Sequence, residues 1–268
     1  METFLALTQV FTIEEARKAL SVTANTSTFN NLLAYHLKRG HLLRIRQGLY
    51  YTIPRGHKPE SFPVDSFLVA SKMADDAVLG YHTALDCYGK LHSMRNDRLY
   101  FTHRKAGKPF LFRDIAYKAV SIPKKIALSS SPNFGIQTID RQGINIRVTS
   151  LERTFVDVLD RPSLTGEWEE IWRSLESIEY FDLEKIMAYI LLLNNATTSA
   201  RVAFFLETHR EELFVSEEFL RMFEPLTPKS PHYLDRHSKE SQQLIPRWNL
   251  IVPKSILQRT WEEPHGNF

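Results

Sequence analysis

The 268 residues carry 34 Lys and Arg against 31 Asp and Glu, a net charge of +3, and are 43% hydrophobic and 24% charged. That is the composition of a packed globular chain and excludes disorder as the main state. A lone cysteine, Cys87, excludes an internal disulfide and offers no paired spacing for redox or metal chemistry. No apolar run reaches the roughly 18 residues of a membrane span, and Thr12, Glu14, Glu15 and Arg17 interrupt the N-terminal segment before a signal-peptide core can form. A cytoplasmic location is expected. The charge is unevenly spread: residues 1 to 60 hold eight cations against four anions, and the rest 26 against 27. A basic N-terminal end on a near-neutral body is the asymmetry of a protein that meets nucleic acid at one end.

The spacing predicts a short helix over 2 to 9 and a second over about 13 to 20. Thr12 and Glu15 stand there at the capping-box separation that satisfies two free backbone donors. A polar segment with candidate caps at Asn25 or Thr26 leads into a third helix, ended by Gly40, which suits a left-handed C-terminal cap. Phe29, Leu32, Leu33 and Leu37 share one face of this helix, with Ser27, Asn30, Asn31 and Lys38 opposite. LLRIR and LYYTI then flank Gln47-Gly48 as a two-stranded hairpin, with Gly48 supplying the positive φ of a tight turn. Helix, helix, helix and hairpin over residues 1 to 55 is the winged helix-turn-helix plan, and the Pro- and charge-rich residues 56 to 63 read as a linker.

Residues 64 to 268 form the expected body, mixed α/β over 64 to 160 and mainly helical over 161 to 268. Two helical stripes in VDSFLVASKMADDAVLGYHTALDCYGKLH break near Asp75 and Asp76. DRLYFTHR, KPFLFRDIAYKAVSI, and the pair FGIQTID and INIRVTS about Arg141-Gln142-Gly143 read as a small sheet. TSLERTFVDVLDRP predicts a helix with Thr149 and Glu152 in capping-box positions, Leu151, Phe155, Val158 and Leu159 on one face, and Pro162 past its end. Further helices start at Asp182, at Thr197 or Ser199, and at Ser216, the last stopped by Pro225, and WNLIV is a strand in a Pro-punctuated tail. The fold class expected is α+β.

In a winged helix-turn-helix the last helix enters the major groove and the wing follows the backbone. Asn30 and Asn31 can offer the bidentate amide edge that matches adenine, with Ser27 and Thr28 as base or phosphate donors. Lys38, Arg44, Arg46 and Gln47 are placed for phosphates. Arg44 and Arg46 alternate with Leu43 and Ile45, so one face of the strand is basic and the other apolar. The same module could serve instead for protein docking or dimerisation. A second basic concentration, Arg95, Arg98, Arg104, Lys105, Lys108, Arg113 and Lys118 against Asp97 and Asp114, reads either as solvated surface or as a further contact for DNA or an acidic or RNA-bearing partner.

Catalytic readings lack their motifs: there is no GxxxxGK[ST], no GxGxxG after a strand, no GxSxG and no HExxH. His36 and His41, like His232 and His237, are five apart, off the spacing that puts two ligands on one helix face, so no metal and no cofactor is expected. HTALDC directs its His, Asp and Cys to different helix faces. DLEKI, at 182 to 186, is the nearest approach to a nuclease-like carboxylate and lysine cluster, and it reads better as the acidic start of a helix.

GHLLRIRQGLYYTIP, DSFLVASKMADDAVLGYHTALDCYG, VTSLERTFVDVLDRP, SARVAFFLETHREELFVSEEFL and WNLIVP, in this order over nearly the whole chain, resemble the AbiEi family of antitoxins and transcriptional regulators. The resemblance implies a bacterial two-gene toxin-antitoxin or phage-defence module of the abortive-infection type. In it, the winged helix represses the module's own promoter at inverted repeats and the C-terminal body counteracts an AbiEii-type nucleotidyltransferase toxin. Carried over residue by residue, the wing motif falls on Arg44, Arg46, Gln47, Gly48, Leu49 and Tyr50, and a signature helix on Glu152, Arg153, Thr154 and Asp157. Arg153 and Asp157, four apart, read as a structural ion pair of the exposed kind, worth about 0.3 to 0.5 kcal/mol. The expected function is a non-enzymatic DNA-binding antitoxin, monomer or homodimer, with promoter DNA and the toxin as partners. The alternatives are a nucleic-acid enzyme with a nuclease-like middle region and a plain repressor without a toxin.

Overall fold

The computed structural model describes residues 1–21 and 27–262; the candidate caps Asn25 and Thr26 lie outside them. In chain order the elements begin α1 (Glu2–Leu7), β1 (Val10–Thr12), α2 (Ile13–Ala19), α3 (Ser27–Lys38), β2 (Leu42–Arg46) and β3 (Leu49–Thr52). There follow α4 (Ser66–Ser71), β4 (Val78–Leu79), α5 (His82–Cys87), β5 (Asp97–Thr102), β6 (Phe110–Phe112), β7 (Ile115–Ser121), α6 (Lys124–Ala127), β8 (Ile136–Arg141) and β9 (Ile144–Thr149). The remainder is α7 (Leu151–Asp160), α8 (Trp168–Glu176), α9 (Leu183–Leu193), α10 (Ala196–Thr208), α11 (Glu217–Arg221), β10 (His232–Tyr233), β11 (Gln242–Ile245), β12 (Leu250–Pro253) and α12 (Lys254–Gln258). This is a mixed α+β fold. Its chain divides into two compact units, one of Met1–Leu79, Asn96–Ser121 and Thr138–Arg147, the other of Gly80–Arg95, Ile122–Gln137 and the chain from Val148 onward.

At the start of the first unit, Leu5, Phe11, Ala16, Phe29, Leu33, Leu42 and Tyr50 bury a small core. Phe11 stacks on Tyr50 at 5.7 Å and meets Phe4 edge-on at 5.0 Å. The predicted capping box is present: Glu15 N donates to the Thr12 hydroxyl while Thr12 N donates to the Glu15 carboxylate. Gly40, at φ +74°, ends α3 and turns the chain back so that His41 N donates to His36 O at 2.9 Å. The hairpin forms as expected, with Gly48 at φ +81°. A third strand joins it, β1 antiparallel to β3 with Thr12 opposite Leu49, giving the order β1-β3-β2.

Most of the six-stranded sheet β6-β7-β5-β4-β9-β8 lies in the same unit. β5 runs parallel to β7 and antiparallel to β4, and every one of its residues is buried, as befits an inner strand covered on both faces. Asp65 caps α4, accepting from Phe67 N and Leu68 N, and is held by Arg141 Nε at 2.7 Å. Residues 56 to 63, expected as a linker, lie within this unit, where Arg113 donates to Phe62 O at 2.6 Å and Pro59 O at 2.7 Å.

In the second unit α7 is buried over Arg153 to Leu159 and packs with α9 and α10. Phe155, Val158, Leu159, Ile171, Trp172, Ile190 and Phe205 belong to its core. Asp182 and Ser216 cap α9 and α11 as predicted. Two starts differ from expectation. Ser150, not Thr149, caps α7 by accepting from Arg153 N, because the Thr149 hydroxyl is committed to that of Thr154 at 2.7 Å. Asn195, earlier than Thr197 or Ser199, caps α10 through Thr197 N. The predicted strand is β12, flanked by parallel β10 and antiparallel β11.

Candidate nucleic-acid interface

Helix α3 sorts its residues by size and polarity. Phe29 and Leu33 are buried and Leu32 and Leu37 half-buried, which leaves Ser27, Thr28, Asn30, Asn31 and Lys38 exposed. The exposed surface of this segment also carries Tyr35, 51% exposed, and Arg39, whose guanidinium lies 5.5 Å from the Tyr35 ring centroid. The i, i+4 spacing of an aromatic and an arginine was the available signal for this pair.

On the hairpin the expected alternation fails at one place. A register shift between Arg44 and Arg46 puts Leu42 and Ile45, three residues apart, into the core. Arg44 stays exposed, 5.9 Å from the Tyr50 ring, and Gln47 is exposed at the turn. Arg46 does not share the outward face of Arg44: it is half-buried and donates from Nη2 to Met73 O at 2.7 Å. The basic face of the strand is therefore Arg44, with Arg46 tying the hairpin to the chain beyond it.

The turn at Gly40 also brings two histidines together. His36 is buried, and its Nδ1 lies 3.3 Å from His41 Nδ1. Burial, and secondarily the charge of His41, hold the His36 imidazole below its ordinary value. Both rings line an open cleft of about 540 Å³ with Glu2, Leu5, Ile53 and Arg55.

Helix α7 departs from the expected division into one core face and one exposed polar face. Arg153, Thr154 and Asp157 are buried and Glu152 half-buried. Arg153 Nε reaches Asp157 Oδ2 at 3.3 Å, its Nη1 donates to Phe134 O at 2.7 Å, and Tyr189 OH donates to Asp157 Oδ1 at 2.7 Å. Burial pushes the Asp157 carboxyl up, and the Arg153 charge and the Tyr189 hydroxyl pull it back. Glu152 accepts from Asp182 N at 3.4 Å. The pair expected at the surface is an interior one.

Most of the second basic concentration is committed to internal contacts. Arg98 is buried against Ser66 and the Phe67 ring, Arg104 pairs with Asp75 at 2.7 Å, and Lys118 pairs with Asp97 at 2.7 Å. Arg113 holds the backbone of 59 to 62, and Arg95 donates to Thr165 O at 2.8 Å. Lys105 and Lys108 remain exposed. In DLEKI, Asp182 caps its helix and pairs with Lys185 at 2.8 Å, the structural role expected. In HTALDC, His82 is buried with Nδ1 3.0 Å from Leu164 O. Among the described residues no helix is long and apolar enough to cross a membrane.

Compared with known proteins, the chain matches no family model and no curated protein. Among solved structures, its fold is similar to that of the Rv2827c protein from Mycobacterium tuberculosis. The two share a TM-score of 0.64 at 14% sequence identity, over 98% of this chain and 93% of the other. That likeness is one of fold, and it extends across both compact units.

Proposed function

We propose that the chain is a DNA-binding antitoxin: its N-terminal elements act as a winged helix-turn-helix that represses the promoter of its own module, and the remainder counteracts a nucleotidyltransferase toxin. The observation that carries the DNA-binding part is the sorting on α3 and the hairpin. Ser27, Thr28, Asn30, Asn31 and Lys38 are all exposed while Phe29 and Leu33 fill the core, and Arg44 and Gln47 are exposed on the neighbouring hairpin. Short polar groups on a helix beside cations on a hairpin suit base reading and phosphate contact respectively. The antitoxin part rests on the resemblance of the quoted segments to the AbiEi family.

A gel-shift titration of the purified protein on the DNA upstream of its gene tests the reading. Arg44→Gln and Lys38→Gln should weaken binding on all sequences alike, whereas Asn30→Ala and Asn31→Ala should cost about 1 to 3 kcal/mol on the operator alone. No retardation of the upstream DNA, or indifference to all four substitutions, overturns the DNA-binding part. Co-expression with the adjacent gene product tests the other: growth arrest by that product should be relieved by the full chain.

A further inference from the structure

We propose that His36 and His41 form a two-imidazole site for a divalent late transition metal such as zinc or nickel. Their positions in the sequence argue against such a site only if the helix continues through both. It does not. Gly40 takes the left-handed conformation at φ +74°, His41 N closes onto His36 O, and the two rings meet with Nδ1 3.3 Å from Nδ1. Two nitrogens bound at about 2.0 to 2.1 Å on a tetrahedral zinc stand about 3.3 Å apart, so the donors already have the separation the ion requires.

The pair also has a chemical reason to accept a cation. Two Nδ1 atoms facing each other hold one proton between them: one ring donates, the other must present its lone pair. A divalent ion takes both Nδ1 lone pairs, and the ring that carried its proton on Nδ1 takes up the tautomer with that proton on Nε2. Charged or titratable groups around the pair are the N-terminal amine, Glu2 from α1, Arg55 after β3, and Tyr35, whose ring meets His36 edge-on at 5.3 Å. Burial, then the charge of His41, lower the proton affinity of His36, while Glu2 raises it and the N-terminal amine lowers it. Among the described residues no three His, Cys, Asp or Glu side chains converge on one metal position. The protein thus supplies two donors, and water in the open cleft of about 540 Å³ completes the coordination shell. Imidazole donors select zinc, nickel or copper over magnesium and calcium. An ion held there ties the end of α3 to the entry of β2, the joint between helix and hairpin.

The test is calorimetric titration of the full chain with zinc and nickel salts, with magnesium as the control, in the absence of DNA. Its outcome is therefore independent of whether the protein binds a promoter. One ion per chain is expected with zinc and with nickel, and none with magnesium. Removing a second-shell partner already costs metal sites about 10- to 100-fold, so loss of a donor in His41→Gln should weaken uptake at least tenfold. His41 is only half-buried, so His41→Gln carries the test if His36→Gln, at a buried position, fails to fold by circular dichroism. Nitrogen-detected imidazole NMR should show both Nδ1 signals shifting on addition of zinc. Absence of saturable uptake, equal uptake by magnesium, or uptake unchanged in His41→Gln overturns the proposal.

Discussion

Exchange of Asp157 for Asn separates two accounts of α7 by about an order of magnitude. An exposed i, i+4 pair contributes about 0.3 to 0.5 kcal/mol, and losing it would hardly be felt. In the structure the side chains of Arg153 and Asp157 are 1% and 0% exposed, and the carboxylate is shared between Arg153 Nε and Tyr189 OH. Removing one charge strands the other in a buried position, which costs about 3 to 5 kcal/mol. Asp157→Asn and Arg153→Met should each show that loss. Tyr189→Phe, which removes one hydrogen bond to the carboxylate, should cost about 1.5 to 3 kcal/mol. The double substitution Arg153→Met with Asp157→Leu leaves no stranded charge, so it should be less destabilising than the sum of the two single changes. Urea unfolding followed by tryptophan fluorescence suits the question, because all four tryptophans, Trp168, Trp172, Trp248 and Trp261, belong to the second unit. A cost below about 1 kcal/mol for Asp157→Asn, or strict additivity in the double variant, refutes the interior pair.

Three other outcomes follow from the geometry. Asp76 accepts from Thr102 Oγ1 at 2.7 Å, His103 N at 2.6 Å and His103 Nδ1 at 2.9 Å; burial alone would raise its carboxyl, but these bonds outweigh it and hold the group down to about 2. A depressed acid stabilises fully above its unfolded value near 3.8 and loses that contribution as pH falls toward 2, so Asp76→Asn should cost about 2 kcal/mol at neutral pH. The gap from wild type, read by circular dichroism in urea, should close below pH 4; a gap constant with pH refutes the charge as its source. Gly135 sits at φ +62°, and a Cβ there would lie 2.8 Å from Arg153 Cβ, so Gly135→Ala should lose about 2 kcal/mol or more in the tryptophan-monitored transition. With Arg46 engaged internally and Lys38, Arg39 and Arg44 exposed, the logarithm of DNA affinity against that of salt should have a slope of about −3 per chain, and a slope near zero sinks the phosphate assignment.

What could be read from the sequence was local chemistry with a fixed reach. The Thr12 and Glu15 capping box, the Gly48 turn, the Asp182 and Ser216 caps and the hairpin about Gln142-Gly143 each depend on residues within a few positions of one another, and each is present. β1 was not legible, since three residues give no period and its partner strand lies some forty positions on. The cap at α7 missed by one residue because Ser150 and Thr149 offer the same hydroxyl, and in the folded helix that of Thr149 goes to Thr154 within α7 itself. Burial of Arg153 and Asp157 was hidden for a related reason. A polar residue reads as surface in any periodic scheme, and its interior partners are distant in sequence: Phe134 lies in the turn before β8, with β8 and β9 between it and α7, and Tyr189 lies on α9, beyond α8.

The candidate site depends on two single-residue irregularities that periodicity cannot carry through. Alternation assigns Arg44 and Arg46 to one face only while the ladder is regular, and one register shift between them leaves Arg44 outward and delivers Arg46 to the Met73 carbonyl. Helical spacing separates His36 from His41 only while the helix persists, and the left-handed turn at Gly40 returns the second ring to the first. A charge becomes available to a phosphate only when no nearer group in the fold has engaged it. By that criterion Arg44 is a stronger candidate for the proposed phosphate contact than Arg46, although the sequence presents them as equals. The histidine pair likewise owes its geometry to the same turn that ends α3.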